Sequence, residues 1–233
     1  MSAAATTRLS VLLGDYPVTA ALKQGKIRSP HVSLEFADVN PPSAGFKRVV
    51  RNLEFDVAEL AIVTFLMAKA HGKPLVLLPA VVVARFQHPL LVYNTERGPL
   101  APDDLAGRRI GVRSYSVTTG AWLRSILAED YALDPGRVKW VTFEEAHVAE
   151  FRDPPNVERA PEGKKVVEML LAGEIDAAIV GDGMAPYPRI RPLLPDPAAA
   201  AAAWRSKHGA IQINHMVVVK NSVSRSNPRE VRE

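Results

Sequence analysis

The sequence is poor in the features that mark several protein classes. It contains no cysteine, which excludes disulfide bonds, thiolate metal sites and a cysteine nucleophile. Aromatic residues make up only 6% of the chain, and 29 basic residues against 25 acidic ones leave a formal charge of +4. The basic residues occur as scattered pairs, such as Lys47 with Arg48, and form no run. Without a basic run or an aromatic platform, we predict no nucleic-acid partner.

Long hydrophobic runs are also missing. The most apolar stretch, residues 74–84, contains Pro79 and is shorter than the roughly 18 to 20 residues that a membrane span requires. We therefore interpret it as a buried strand and predict no membrane partner. Residues 1–7 are small and polar, and the apolar run 9–13 is too short for the core of a signal peptide. These features predict a cytoplasmic protein.

One sequence motif occurs twice, as LEFDVAEL at residues 53–60 and as AGEIDAAIV at residues 172–180. Each copy follows a helix-like stretch, turns at an aspartate and continues into a short apolar strand. We interpret Asp56 and Asp176 as structural, since an aspartate in such a turn commonly accepts hydrogen bonds from nearby backbone N–H groups. The repetition predicts two similar lobes with a ligand cleft between them.

Strand-like and helix-like stretches alternate along the chain, which predicts an α/β fold with mostly parallel sheets. The first predicted lobe comprises residues 1–92 and is completed by a crossover strand and tail at 215–233. The second lobe comprises residues 93–214, and within it we expect a loop at 151–162. The polar tail beyond residue 222 is expected to fray.

In α/β folds, ligands bind at the carboxyl ends of the parallel strands. This rule selects Asp15, Tyr16, Glu59 and Leu60 in the first lobe, with Glu59 just past the core of its strand. In the second lobe it selects residues 114–119 of the polar loop 113–119, and the turn 181–183. The free N–H groups of the helix that follows the loop form a generic anion site.

A further set of residues, spread over nearly the whole chain, occurs in an order typical of one enzyme family. The set consists of Asp15-Tyr16 with Thr19, Leu22 and Gly25; Phe55-Asp56-Val57-Ala58-Glu59; Phe86 with His88; Tyr115, Thr118, Trp122, Arg124 and Leu127; Pro188-Arg189 with Arg191, Leu193, Pro195 and Asp196; and Gly209 with His215. Together these residues resemble the 4,5-dihydroxyphthalate decarboxylase family.

The resemblance implies a fold and an activity. The fold is a two-lobed type II periplasmic-binding-protein-like architecture with a ligand cleft between the lobes. The activity is a lyase reaction of aromatic compound degradation, specifically of phthalate catabolism, in which a hydroxylated aromatic dicarboxylate such as 4,5-dihydroxyphthalate is decarboxylated to protocatechuate. The partner is a small aromatic carboxylate, no cofactor is needed, and a homo-oligomer is left open.

The resemblance also selects site residues. His88 and His215 coincide with histidine positions of the family pattern, and either would donate the proton that replaces the carboxylate. Glu59 is the third predicted catalytic residue, as an acceptor for phenolic hydroxyls. The predicted substrate-binding residues are Asp15, Tyr16, Arg85, Ser114, Tyr115, Ser116, Thr118 and Thr119. Each has a structural alternative: a hydrogen-bonded histidine at a strand boundary, support of a hinge, an interlobe salt bridge or a helix cap.

Two departures from the family pattern favour another function. Gln87 stands where the family usually has an arginine before the histidine, and family members usually continue well beyond the crossover strand. The alternative is a non-catalytic protein of the same fold that binds a small organic anion, and a third interpretation is another enzyme on this scaffold. No metal is predicted, since His88, His215, Glu59 and Asp182 show no close ligand spacing. The remaining histidines, His31, His71, His147 and His208, are expected to be exposed.

Overall fold

The computed structural model describes residues 6–181, 183, 184 and 186–232. They form two compact units, each assembled from separate stretches of chain. The first unit comprises the residues up to Ala84, the segment His147–Glu150 and the residues from Ile213 onwards; the second comprises Arg85–Ala146 and Phe151–Gln212. None of the described helices has the length and apolar character needed to cross a bilayer.

The described strands are β1 (Thr7–Leu12), β2 (Val32–Phe36), β3 (Val57–Ala61), β4 (Leu75–Ala84), β5 (Leu91–Asn94), β6 (Arg109–Val112), β7 (Lys139–Thr142), β8 (Val157–Arg159), β9 (Ala177–Ile179), β10 (Ile190–Pro192) and β11 (Ile213–Lys220). The α-helices are α1 (Pro17–Lys23), α2 (Ile62–Ala70), α3 (Thr118–Tyr131), α4 (Val166–Ala172), α5 (Pro197–His208) and α6 (Asn221–Ser226). Short 3₁₀ turns and a π-helical segment, Arg48–Asn52, complete the regular structure.

The sheet of the first unit has the strand order β2-β1-β3-β11-β4. β1 is parallel to β2 and β3, whereas β11 is antiparallel to both of its neighbours, β3 and β4. Four of the five strands therefore run in the same direction, as expected for a mostly parallel sheet, and the exception is β11, which arrives last and is inserted between two earlier strands. Phe46, Val50 and Leu60 are among the fully buried side chains of its core.

The sheet of the second unit has the order β10-β5-β9-β6-β7-β8. Strands β9, β6, β7 and β8 are parallel; at one edge β5 pairs antiparallel with β9, and β10 pairs antiparallel with β5. Because β5 pairs with β9, the chain enters the second unit after Ala84, whereas the predicted lobe boundary lies after residue 92. Trp140 is fully buried in this core, and the half-buried Trp122 packs against the core.

Several short elements differ from the prediction. β8 lies within the predicted loop 151–162, because three residues are too few to display a strand period. The helix α3 begins at Thr118, so the polar loop is shorter than expected. In the tail, which we expected to fray, residues up to Ser226 form α6.

The two copies of the repeated motif have the same local structure in their respective units. The backbone N–H of Asp56 donates to the Ser10 carbonyl, and its carboxylate accepts from the Ser10 N–H at 3.0 Å. Asp176 makes the same pair of hydrogen bonds with Arg109, its carboxylate accepting at 2.8 Å. Both aspartates thereby join the turn to the neighbouring strand, and their structural assignment is confirmed.

The pKa of Asp56 makes this turn sensitive to acid. Burial alone would raise that pKa, but hydrogen bonds from Lys220 and Ser10 outweigh burial and lower it. A carboxyl group with a lowered pKa stabilises the fold above its unfolded pKa of about 3.9, and this contribution is lost as the pH falls through the folded pKa.

We expect Asp56→Asn to lower the free energy of unfolding by about 1–2 kcal/mol at neutral pH, because three hydrogen bonds to a charged acceptor are weakened. Urea unfolding at a series of pH values measures this effect. Below about pH 4 the wild type loses the same contribution, so the two stability curves should converge there. Curves that stay parallel down to pH 2.5 would contradict the assignment.

Candidate functional site in the first unit

The candidate site is built around Glu59, which lies in the middle of β3 and is fully buried. The expectation that Glu59 follows the core of its strand is therefore wrong. In β11, Val217 lies directly opposite Glu59, and His215 lies opposite Ala61. His215 is thus the diagonal neighbour of Glu59 on the same face of the sheet, a separation that long side chains can bridge.

Three hydrogen-bond donors converge on the Glu59 carboxylate. Its Oε1 accepts from the Tyr16 hydroxyl at 2.8 Å and from Nδ1 of the His215 ring at 2.6 Å. Its Oε2 accepts from the Gly14 backbone N–H at 2.9 Å. A buried carboxylate is costly unless it is hydrogen-bonded, and this set of donors compensates the charge of Glu59.

The turn after β1 supplies two of these donors. Tyr16 folds back so closely that a Cβ on residue 14 would lie 2.5 Å from its ring, so a side chain there would displace the Tyr16 ring. The hydroxyl of Thr19 donates to the Gly14 carbonyl at 2.7 Å and accepts from the Tyr16 N–H at 3.0 Å. Thr19 therefore fastens the turn to the first turn of α1 and holds both donors at Glu59.

His215 has the geometry of an oriented acid–base group. A carboxylate can only accept hydrogen bonds, so Nδ1 of His215 carries the proton that it shares with Glu59. Within the described part of the chain, Nε2 makes no hydrogen bond, and the side chain is 21% exposed. The ring is thus held in one tautomer with Nε2 left to exchange a proton.

The sequence did not reveal that an aromatic ring packs on His215. The ring of the buried Phe46 meets His215 nearly at a right angle, with centroids 5.2 Å apart, and meets His147 in the same way at 5.6 Å. His147 was expected to be exposed, but it is 5% exposed and its Nδ1 lies 2.8 Å from the Thr64 hydroxyl. This expectation failed because the segment His147–Glu150 belongs to the first unit.

The other predicted residues of the first unit have a different role. The carboxylate of Asp15 pairs with Lys23 and its side chain is 81% exposed, although it neighbours Tyr16 in sequence. Lys23 also donates to the Leu13 carbonyl at 2.9 Å. Asp15 and Lys23 thus stabilise the turn, whereas Tyr16 donates the hydrogen bond to Glu59. Substrate binding by Asp15 stays a prediction.

His88 and Arg85 lie in the second unit. His88 begins a 3₁₀ turn and is almost fully buried, and neither ring nitrogen has a hydrogen-bond partner in the described part of the chain. Burial lowers the pKa of His88, and the charge of Asp130 offsets this only in part. A neutral, enclosed imidazole is a poor proton donor. Arg85 is half-buried, and its backbone N–H donates to the Gln212 carbonyl.

The predicted anion loop also belongs to the second unit. Ser114 and Ser116 are buried, with their hydroxyls 3.1 Å apart, and Tyr115 lies under the Arg124 guanidinium, 3.9 Å from the ring centroid. Burial lowers the pKa of Arg124. Thr118 is buried and Thr119 half-buried in the first turn of α3, whose N-cap residue, Val117, has no capping side chain. Substrate binding by this loop stays a prediction.

The described residues contain no group of three or more histidine, aspartate or glutamate side chains placed to hold a metal ion. Glu59 and His215 form only a pair. Asp182, the remaining acidic residue considered from the sequence, lies outside the described residues.

Comparison with known proteins decides the family. No family model matches the chain. A protein of Pseudomonas putida named 4,5-dihydroxyphthalate decarboxylase is 31% identical over 210 residues, which cover 84% of this chain and 80% of that protein. The chain belongs to the 4,5-dihydroxyphthalate decarboxylase family. A protein of the same name from Comamonas testosteroni is 28% identical and covers 95% of this chain and 70% of its own length.

Among solved structures, the periplasmic aliphatic sulphonate binding protein of Escherichia coli matches 98% of this chain and 70% of its own, with a TM-score of 0.55 at 11% identity. This likeness shows the fold, and the predicted periplasmic-binding-protein-like class is confirmed. In this member of the 4,5-dihydroxyphthalate decarboxylase family, two of the residues that carried the resemblance, Glu59 and His215, are hydrogen-bonded to each other.

Proposed function

We propose that this protein decarboxylates a hydroxylated aromatic dicarboxylate such as 4,5-dihydroxyphthalate, giving protocatechuate, with His215 as the proton donor. The observation that carries the proposal is the 2.6 Å hydrogen bond from Nδ1 of His215 to the fully buried Glu59. Membership of the decarboxylase family supports the reaction type and the substrate.

The reaction needs one proton on the ring carbon that loses its carboxylate. The hydroxyl para to that carbon gives its proton to water, the resulting phenolate pushes electrons into the ring, and the carbon takes a proton from Nε2 of His215. The bond to the carboxylate then breaks, carbon dioxide leaves, and the electron pair of that bond restores the aromatic ring and the phenolate. The phenolic oxygen serves as the electron sink, so this route requires no organic cofactor. Water then returns one proton to the phenolate of the product and one to His215.

Glu59 and Tyr16 support this step without themselves transferring the proton to the ring. The carboxylate of Glu59 fixes the tautomer of His215 and stabilises the imidazolium that precedes proton transfer, as a buried carboxylate does for the histidine of a catalytic triad. The Tyr16 hydroxyl shares the acceptor atom Oε1 with His215 and so limits the positions that the carboxylate can occupy. Such acid–base catalysis raises the reaction rate roughly 10²–10⁴-fold.

Proton NMR of 4,5-dihydroxyphthalate mixed with the protein in D₂O tests the proposal. We expect protocatechuate in which the vacated ring carbon carries deuterium, because the proton of Nε2 exchanges with solvent before it is transferred. Its neighbouring ring proton then loses a coupling, and two ring-proton singlets appear. Line broadening of the substrate without product would instead support a non-catalytic binding protein, and a spectrum with neither change, from protein shown to be folded, would exclude this substrate.

A further inference from the structure

We propose that Phe46 is a positioning residue, which fixes the plane of the His215 ring so that Nε2 is aimed at the substrate carbon. The inference rests on the proposed function and concerns a residue that makes no polar contact with the pair. Phe46 is 1% exposed, and its ring meets His215 with an interplanar angle of 83°. A nearly perpendicular, edge-to-face contact is a favoured arrangement of paired aromatic rings.

The hydrogen bond to Glu59 cannot by itself orient His215. The ring turns about its Cβ–Cγ bond, and a hydrogen bond tolerates a range of donor angles, so Nδ1 can stay bonded to Oε1 while the ring rocks. Since the final torsion of a histidine side chain is only broadly restricted, such rocking would change the direction in which Nε2 presents its proton. The contact with Phe46 supplies the second restraint that a planar group needs.

Phe46 is itself held from a distant part of the chain. Its ring also meets His147, at an interplanar angle of 88°. The imidazole of His147 is hydrogen-bonded to the buried Thr64, and the His147 carbonyl accepts from Nε of Arg51 at 2.8 Å. A ring that packs against two imidazoles, one of which is anchored in this way, has little room to turn. The restraint on His215 therefore extends through Phe46 to α2.

Phe46→Leu tests the proposal, with Phe55→Leu as the matched control. Both phenylalanines are buried in the first unit, but the Phe55 ring packs under the Arg48 guanidinium. For Phe46→Leu we expect kcat to fall about tenfold while KM changes less than about twofold, since misplacement of a reacting group by about 1 Å can cost 10²-fold in rate. The ¹⁵N signals of the His215 ring should shift, because a ring that rocks more freely makes a weaker hydrogen bond to Glu59. Phe55→Leu should leave kcat and these signals unchanged.

Thr64→Val provides a second test should Phe46→Leu fold poorly. It keeps the shape of the side chain and removes the hydroxyl that anchors His147, so we expect a smaller fall in kcat and a smaller shift of the same His215 signals. Equal losses of kcat in the two leucine variants, or unchanged His215 signals in folded Phe46→Leu or Thr64→Val, would overturn the proposal. The NMR comparison needs no turnover, so a wild type without activity would refute the proposed function and leave this test intact.

Discussion

His215→Ala is expected to lower the rate constant for decarboxylation of 4,5-dihydroxyphthalate about 10²–10⁴-fold, because the variant lacks the group that protonates the ring carbon. Substrate affinity should change much less, since the proton is transferred only in the reaction itself. Single-turnover kinetics with excess protein separate the two quantities, and titration of the substrate NMR signals gives the affinity independently.

His71→Ala is the matched control for this variant. His71 is an exposed histidine of the first unit, at the end of α2, and its replacement should leave both the rate and the affinity unchanged. If His215→Ala instead lost affinity and rate to the same degree, His215 would be a binding residue. If it kept most of its rate, the proton donor would have to be sought elsewhere, with His88 as the next residue to test.

Glu59→Gln is expected to impair both stability and rate. The amide has the shape of the carboxylate, but whichever way it is turned, its NH₂ group faces an N–H or O–H donor. A buried donor left without an acceptor costs about 1–3 kcal/mol of unfolding free energy. Because the imidazolium form of His215 also loses its anionic partner, we expect the rate constant to fall by at least about 10²-fold.

Urea unfolding measures the first effect, and single-turnover kinetics at saturating substrate measure the second. Glu54→Gln is the control, since it removes a carboxylate that pairs at the surface with Arg48, and exposed pairs of this kind contribute little to stability. An active Glu59→Gln variant of normal stability would show that the buried charge is dispensable, and it would remove the basis of the proposed mechanism.

The sequence allowed prediction of features that depend on local pattern. The repeated motif placed Asp56 and Asp176 in equivalent turns because both lie between a helix and a strand, where an aspartate has nearby N–H groups to bind. The rule that ligands bind at the carboxyl ends of parallel strands selected both Tyr16 and Glu59. In the structure the Tyr16 hydroxyl donates to Oε1 of Glu59 at 2.8 Å.

Features that depend on register or on distant packing could not be predicted. The diagonal relation of His215 to Glu59 follows from the pairing of β11 with β3, and no local pattern encodes that register. The perpendicular contact of Phe46 with His147 joins segments about a hundred residues apart. The neighbouring hydrogen bond from Arg51 to His147 spans 96 residues in the same way. Nothing in the loop around His147 distinguishes a buried histidine from an exposed one.

The insertion of β11 between β3 and β4 also sets the order in which the proposed reaction centre can be assembled. Synthesis delivers Glu59 first, and its imidazole partner follows 156 residues later. Until then β3 and β4 have no strand between them, and the carboxylate lacks one of its three donors. Contacts between residues so distant in sequence slow folding. One edge of β3 and one edge of β4 therefore stay unpaired while the second unit is synthesised. Unpaired strand edges are prone to aggregate, so the nascent chain depends most on chaperones during this period.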